Sequence, residues 1–298
     1  MITVFTPTYN RAENLYRLFE SLKSQTCLDF EWIVIDDGST DDTRGVVDEF
    51  ILECDKFPIK YYLQENMGKH VAINYGVQVA SGEAFFIVDS DDWLPNNSIE
   101  LIYSFFNQIE DKEGFAGVAG LKLYKDDKTV GSTFKGDYLD CTTLQRAKNN
   151  ILGDKAEVFY TEILKEHPFP VFEGENFMSE EVVWNRIAND GYKIRWFNEK
   201  LYYCEYLEDG LSKSSNKELN NFQGFKLVIK ELLTYKEISL KRKLISLMII
   251  GEISLRRKEK LKLVAKDIGV CPLAFRFWAY AGKIIRKIRR LRKKDGKN

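Results

Sequence analysis

The chain has 298 residues, 44% of them hydrophobic and 30% charged, and a formal net charge of -1. That composition belongs to a folded protein with one large or two smaller cores, and it excludes disordered and collagen-like chains. The charge is unevenly placed: from residue 240 onward there are 19 Lys+Arg against 4 Asp+Glu, while the preceding part carries 25 against 41, so two surfaces of opposite sign are expected.

Met1 to Phe5 opens directly on a β-rich run with no basic segment ahead of an apolar stretch, so no signal peptide is expected and the chain is expected to stay on the cytosolic side. The longest apolar candidate, Leu244 to Ile250, falls far short of the ~18 residues of a membrane span. Five scattered cysteines, with no CxxC pair, fit reduced thiols.

In chain order, Ile2–Thr6 reads as a strand. Asn10, with Glu13 three residues on, has the pattern of a helix N-cap, and Leu15, Leu18, Phe19 and Leu22 follow at helical spacing. Phe30–Ile35 and Ile59–Leu63 are further strands, Gly68 precedes a helix over about 70–80, and Phe85–Val88 is a fourth buried strand. This βαβαβαβ order implies a parallel sheet with right-handed crossovers, whose ligands bind at the carboxyl ends of the strands.

Polar residues gather at those ends. Strand one runs into Thr6-Pro7-Thr8-Tyr9-Asn10, strand two into Asp36-Asp37-Gly38-Ser39, strand three into Glu65-Asn66-Met67-Gly68-Lys69, and strand four into Asp89-Ser90-Asp91-Asp92. A carboxylate of Asp36 or Asp37 can accept hydrogen bonds from a nucleobase imide or a ribose. Asn66 adds donors, and Lys69 offers a point charge to a phosphate. Three like charges at the mouth of a buried strand are costly unless compensated. Hard oxygen ligands suit Mg2+ or Mn2+, so the expected partner of Asp89, Asp91 and Asp92 is a diphosphate-bridging ion rather than a neighbouring Lys or Arg.

TPTYNR, WIVIDDGSTDDT, ENMGKHVAINYGVQVASGE and FFIVDSDDWL, in this order and spacing, resemble the amino-terminal half of family 2 glycosyltransferases of the bacterial surface-polysaccharide type. A looser likeness continues through SEEVVWNRIANDGYKIRW and YLEDGLS, so the resemblance covers roughly residues 1 to 215. It implies a GT-A-like, Rossmann-like, mostly parallel sheet flanked by helices. It also implies an inverting, metal-dependent transfer from a nucleotide-diphosphate sugar, UDP favoured, to a hydroxyl of a growing or lipid-linked glycan, in capsule, lipopolysaccharide or exopolysaccharide biosynthesis. By the same resemblance Thr6, Pro7, Thr8, Tyr9, Asp36, Asp37, Asn66, Lys69, Asp89 and Ser90 would hold the nucleotide. Asp89 and Asp91 would form the DXD pair, with Asp92 a third candidate ligand. Glu180-Glu181, after Ser179 as a candidate N-cap, stand where the family carries a Glu-Asp pair, which implies Glu181 as the base, one methylene longer than Asp. Tyr206 to Ser212 resembles the family's closing segment.

Two other readings fit the same residues less well. A sugar-nucleotide nucleotidyltransferase would want a Gly-rich, basic loop after strand one, which TPTYNR is not. A catalytically silent nucleotide-binding or membrane-adaptor protein would not need Asp89, Asp91 and Glu181 together. His70 and His167 are too few for a zinc site or a His-based triad, and Trp184, Trp196 and Phe197 are expected in the core.

The expected organisation is a catalytic domain over 1–215, divided into a nucleotide half (1–95) and an acceptor half (96–215), followed by a helical basic extension over 216–298. In the extension Ala274, Phe277, Trp278, Ala281, Ile284, Ile285, Ile288 and Leu291 share one helical face, and Arg276, Lys283, Lys287, Arg290 and Lys294 lie opposite. Residues 274–294 thus suit an interfacial helix on an anionic leaflet, which would make the protein peripheral on the cytoplasmic face of the inner membrane. The alternative is a helix packed on the catalytic domain with a solvated basic face. The acidic main body disfavours nucleic acid as a partner.

Overall fold

A computed structural model describes residues 1–205 and 217–295, with side chains described up to Ile288. The chain divides into two compact units, 1–170 with 183–213, and 171–182 with 214–298. The expected boundary near 215 falls outside the described residues, and the short segment 171–182 joins the second unit.

In the first unit eight strands form one mixed sheet. The elements, in order, are β1 (Ile2–Thr8), α1 (Ala12–Lys23), β2 (Phe30–Asp36), α2 (Thr43–Glu53), β3 (Ile59–Leu63), α3 (Lys69–Val79), β4 (Ala84–Ile87), α4 (Ser98–Asn107), β5 (Phe115–Tyr124), β6 (Tyr138–Cys141), β7 (Lys155–Tyr160), α5 (Thr161–Glu166), α6 (Glu181–Asn189), whose first two residues count with the second unit, and β8 (Lys193–Cys204). The sheet order is β3-β2-β1-β4-β7-β5-β8-β6. β1, β2, β3 and β4 pair in parallel, whereas β7 enters antiparallel between β4 and β5, and β6 closes the far edge antiparallel to β8. The four expected strands and their crossover helices are all present, and residues 115–204 add four strands to the same sheet.

Alternation along β1 and β2 sorts side chains to the two faces. Val4, Trp32, Val34 and Phe86 pack with Leu15, Leu18, Phe19 and Leu22 of α1, with Val47 and Phe50 of α2, and with Ile99, Ile102 and Phe105 of α4. The rings of Phe19 and Phe50 stack at 4.1 Å. On the other face α3 approaches so closely that a Cβ on Gly76 would lie 2.3 Å from the Phe5 ring. Trp184, Trp196 and Phe197 are buried, as expected of core aromatics.

One local expectation is corrected. Asn10 does not cap α1; the helix starts at Ala12 with Arg11 as its N-cap and no side-chain cap bond. Asn10 adopts a left-handed φ of 51°, and its Oδ1 instead accepts from Thr40 N at 2.7 Å in the next loop. Asp41 Oδ2 accepts from Ala12 N at 3.1 Å, so a carboxylate from the neighbouring loop serves the helix end.

The second unit is helical: α7 (Lys217–Asn220), α8 (Phe222–Thr234), α9 (Leu240–Arg256), α10 (Leu261–Asp267) and α11 (Pro272–Asp295). Phe222, Ile229, Leu247, Ile250, Val264 and Phe275 belong to its core. The segment 171–182 is fastened to α8 by Glu175, whose carboxylate accepts from Gln223 N at 2.7 Å and Gly224 N at 2.8 Å. That is where a helix N-terminus favours negative charge.

Glu31, 1% exposed, ties the first unit together. It accepts from Thr3 Oγ1 at 2.7 Å, Ser81 N at 2.6 Å and Lys60 Nζ at 2.7 Å. Burial pushes its pKa up, but these partners more than offset that and hold it below the usual carboxylate value. A depressed folded-state pKa contributes stability above the unfolded value that is lost as pH falls through the folded one. Glu31→Gln is therefore expected to cost about 1.5–3 kcal/mol at pH 7. The gap to the parent should close as pH falls below about 4, followed by thermal melts across that range.

Candidate active site

The parallel register sets the strand ends in one row. Thr8 pairs with Asp36 across β1 and β2, Asp36 with Leu63 across β2 and β3, and Phe5 with Ile87 across β1 and β4. The four polar loops therefore leave the sheet along one edge, within the first unit.

Each loop is braced by its own acids. Asp36 is 2% exposed and Asp37 6%. Asp36 accepts from Ser39 N at 2.8 Å and from the Tyr61 hydroxyl at 2.8 Å. Asp37 accepts from Gln64 Nε2 (2.7 Å), Met67 N (2.9 Å) and Gly68 N (2.8 Å), which fixes the loop entering α3. Gly68 sits at φ +95°, a region open to glycine without strain, and the turn delivers Lys69 as the first residue of the helix. Thr6 is fully buried and its hydroxyl accepts from the Trp32 indole N–H at 2.9 Å. Pro7 is buried, Tyr9 and Asn66 are exposed, and Ser90 is buried in the β4 turn. Thr8 Oγ1 and His70 Nδ1 are both buried without a hydrogen-bond partner. Such orphans in a native site ask for an unseen partner, and both stand at the loops that would receive a ligand.

The acidic turn after β4 is where the structure departs furthest from expectation. Its counter-charges include lysines: Lys69 Nζ lies 2.6 Å from Asp89 Oδ1, and Lys122 of β5 sits 4.0 Å over the Tyr202 ring of β8. The Tyr202 hydroxyl accepts from Asp89 N at 2.9 Å and donates to Asp92 Oδ2 at 2.6 Å. Asp92 Oδ1 accepts from Glu205 N at 3.0 Å. Arg17 of α1 donates to the Asp91 carbonyl, pairs with Glu205 at 2.6 Å and lies 4.0 Å over the Trp93 ring. The expectation that no neighbouring Lys or Arg answers the acids is thereby corrected: the sheet brings cations from α3 and β5 that the local sequence does not display.

These neighbours separate the three carboxyls. Burial raises Asp89, but the Lys69 and Lys122 ammoniums more than offset it and hold it below the usual range. Asp91 is raised by burial and by the charge of Asp89. Asp92 is pushed up to about 7 by burial first and then by Asp89. Lys122, which burial alone would lower, is held above its ordinary value by Asp89 and Asp92. Both Asp92 oxygens accept from protein donors, so Asp92 braces the turn, and Asp89 and Asp91 are carboxylates that could hold a divalent ion. Among the described residues no group of three His, Cys, Asp or Glu could by itself hold a metal. Two carboxylates with a substrate diphosphate completing the shell is the ordinary way Mg2+ or Mn2+ is bound at such sites, so the donor set fits.

Lys122, Tyr202, Arg17 and Glu205 were not among the residues singled out from sequence. The one local signal was Lys122 itself, a charge inside the apolar alternation GLKLY. Glu180 and Glu181 are half-buried and belong, by contacts, to the second unit, where Glu181 Oε1 accepts from Arg242 at 2.7 Å. Tyr206 to Ser212 lies outside the described residues.

The sheet, with its polar loops in a row and an acidic turn after its fourth strand, has the fold of GT-A glycosyltransferases. The family model described as Glycosyl transferase family 2 matches residues 3–151, and the chain belongs to that family. It is a nucleotide-sugar-dependent glycosyltransferase. It is 29% identical over 216 residues to the glycosyltransferase GlyG of Streptococcus pneumoniae, covering 68% of this chain and 69% of that protein. It is 29% identical over 208 residues to the GalNAc(5)-diNAcBac-PP-undecaprenol beta-1,3-glucosyltransferase of Campylobacter jejuni, covering 68% of this chain and 61% of that one. In fold it is similar to S. aureus TarS 1-349 in complex with UDP-GlcNAc, with a TM-score of 0.66 and 18% identity over 96% of this chain and 91% of that one. It is also similar to the mannosyltransferase PcManGT of Pyrobaculum calidifontis in complex with GDP-Man and Mn2+, with a TM-score of 0.54 and 17% identity over 94% of this chain and 73% of that one.

Lys122→Met removes a cation facing Asp89 and Asp92. Because burial and Asp89 push Asp92 up to about 7, its negative charge grows between pH 5 and pH 8, so the lost attraction matters more at the higher pH. The expected loss is about 3 kcal/mol at pH 8 and distinctly less at pH 5, measured by calorimetry at the two pH values.

Proposed function

We propose that the chain transfers a sugar from a UDP-linked donor to an acceptor hydroxyl with inversion, using Mn2+ or Mg2+ held by Asp89 and Asp91 and the diphosphate. The observation that carries this reading is the acidic turn itself, with Asp89 beside Lys69 at the row of strand-end loops. Thr8, Tyr9, Asn66 and Ser90 are the remaining candidates for donor contacts. Asp36 and Asp37, already engaged in bracing, have lone pairs left for a base or ribose.

Glu181 is the proposed base. It opens α6, and Arg242 fixes one of its oxygens. In the step, the acceptor oxygen attacks the anomeric carbon as the bond from that carbon to the diphosphate oxygen breaks. The acceptor proton passes to Glu181, and the nucleoside diphosphate departs on the opposite face. In this reading Lys69, beside Asp89, meets charge growing on the leaving oxygens. A divalent ion, when bound, supplies Lewis-acid stabilisation to the same oxygens. The UDP choice draws on the solved TarS complexes with UDP and UDP-GlcNAc, and the metal on the Mn2+ complex of the mannosyltransferase. The name of the Campylobacter relative supports a polyprenyl-diphosphate-linked glycan as the acceptor, hence a role in assembling a lipid-linked or surface glycan.

Thermal-shift measurement with UDP, GDP, dTDP and their sugars, with and without Mn2+, tests the donor. A rise confined to uridine nucleotides plus metal is expected, and no shift with any of them would sink the reading. Asp91→Ala is expected to abolish the metal-dependent shift. Glu181→Gln is expected to keep it while transfer falls by at least about 100-fold. Transfer by Glu181→Gln at the parent rate would remove Glu181 from the mechanism.

A further inference from the structure

The C-terminal helix α11 has two apolar sides, and the helical unit uses only one of them. Phe275 and Ala279 are fully buried. A Cβ on Gly282 would lie 2.3 Å from Met248 O of α9, and one on Gly251 of α9 would lie 2.5 Å from Ala279 Cα. Arg286 pairs with Glu252 of α9 on the same side. These contacts settle which face of α11 meets α9.

The opposite face carries Leu273 (79% exposed), Phe277 (65%), Tyr280 (45%), Ile284 (60%) and Ile288 (45%). Steps of four, three, four and four residues put them in one stripe along the helix. At 100° per residue the stripe lies about 180° from Ala279 and Gly282. Arg276, Lys283 and Lys287, all exposed, form a row along one flank of it. The sequence then continues as Arg289-Arg290-Leu291-Arg292-Lys293-Lys294. The expected face of Ala274, Phe277, Trp278, Ala281, Ile284, Ile285, Ile288 and Leu291 is thus resolved for the described side chains. The helix packs through one side, and a continuous apolar stripe with a cationic border stays open on the other. The helix thus packs on α9 within its own unit and keeps an exposed amphipathic face.

We propose that α11 lies in the plane of an anionic lipid surface, with Leu273, Phe277, Tyr280, Ile284 and Ile288 immersed and the flanking Lys and Arg side chains among the headgroups. Charge complementarity selects this occupant. An excess of 15 positive charges from residue 240 onward would repel a second copy stacked stripe to stripe, whereas an anionic leaflet attracts each basic side chain near it. Large apolar residues on one side and Lys and Arg beside them is the pattern of a helix lying in the interface. No single described helix is long and apolar enough to cross a membrane, and α10 with α11 reaches that composition only as a pair bent by 113°. The inference stands apart from the transfer chemistry, since none of these residues belongs to the donor site.

The experiment is flotation of the full chain with vesicles of phosphatidylcholine alone or mixed with phosphatidylglycerol, at low and high salt. Binding only to the anionic vesicles, weakened by salt, is expected. Phe277→Ser with Ile284→Ser should reduce the bound fraction about tenfold. Lys283→Glu with Lys287→Glu should reduce it and flatten the salt dependence. All four positions are exposed, so melting temperature and the nucleotide-induced thermal shift should stay at parental values and certify the fold. Flotation of the Phe277/Ile284 variant equal to the parent overturns the proposal. So does equal binding to neutral vesicles, binding that high salt leaves intact, or a parental dimer in light scattering that the same variant dissolves.

Discussion

The arrangement of the first unit turns on compensating the acids that follow β4. Asp89, Asp91 and Asp92 leave a strand buried between neighbours, and an uncompensated charge there would be among the most expensive features a fold could carry. Compensation comes from both sides of the sheet: Lys69 from the crossover helix of the parallel half, Lys122 and Tyr202 from strands of the added half. The acidic turn is thereby the clasp between the halves. With Tyr202 accepting from the Asp89 amide and donating to the Asp92 carboxylate, one side chain of β8 fixes the backbone at one end of the turn and the charge at the other.

The same economy recurs one loop away. Asp37 holds two amides and a side-chain amide of the segment leading into α3, and that segment ends by presenting Lys69. A carboxylate at the end of β2 therefore sets the position of the ammonium that neutralises a carboxylate at the end of β4. Electrostatic order along the sheet edge passes from acid to backbone to cation to acid, and no link in it is a solvent-exposed pair of the weak kind.

Much of this was legible from the chain. The strands of the parallel half, their helices and the polar loops are all local patterns, and four motif strings in register carried the family. What escaped were features that depend on pairing across long separations. Asn10 resembles a cap because Glu13 follows it, yet its carbonyl is drawn to Thr40, thirty residues on, once β1 and β2 lie side by side. Lys122 and Tyr202 have no local mark of function beyond a charge in an apolar strand. Their relation to Asp89 and Asp92 exists only across the sheet order β4-β7-β5-β8, with β7 antiparallel to both its neighbours. The segment 171–182 looks from sequence like part of the catalytic domain, but Glu175 and Asn221 bind it to the start of α8.

The cross-ties between loops bear on how such a site can change over evolution or by design. Asn10 is bonded to the loop of β2, Asp41 of that loop serves α1, and Asp37 holds the loop of β3. A loop borrowed from a relative with another donor would arrive without its half of these bonds and leave the resident half unsatisfied. If these loops hold the donor as proposed, its preference would be inherited as a set of three loops, with point changes confined to exposed side chains such as Tyr9 and Asn66.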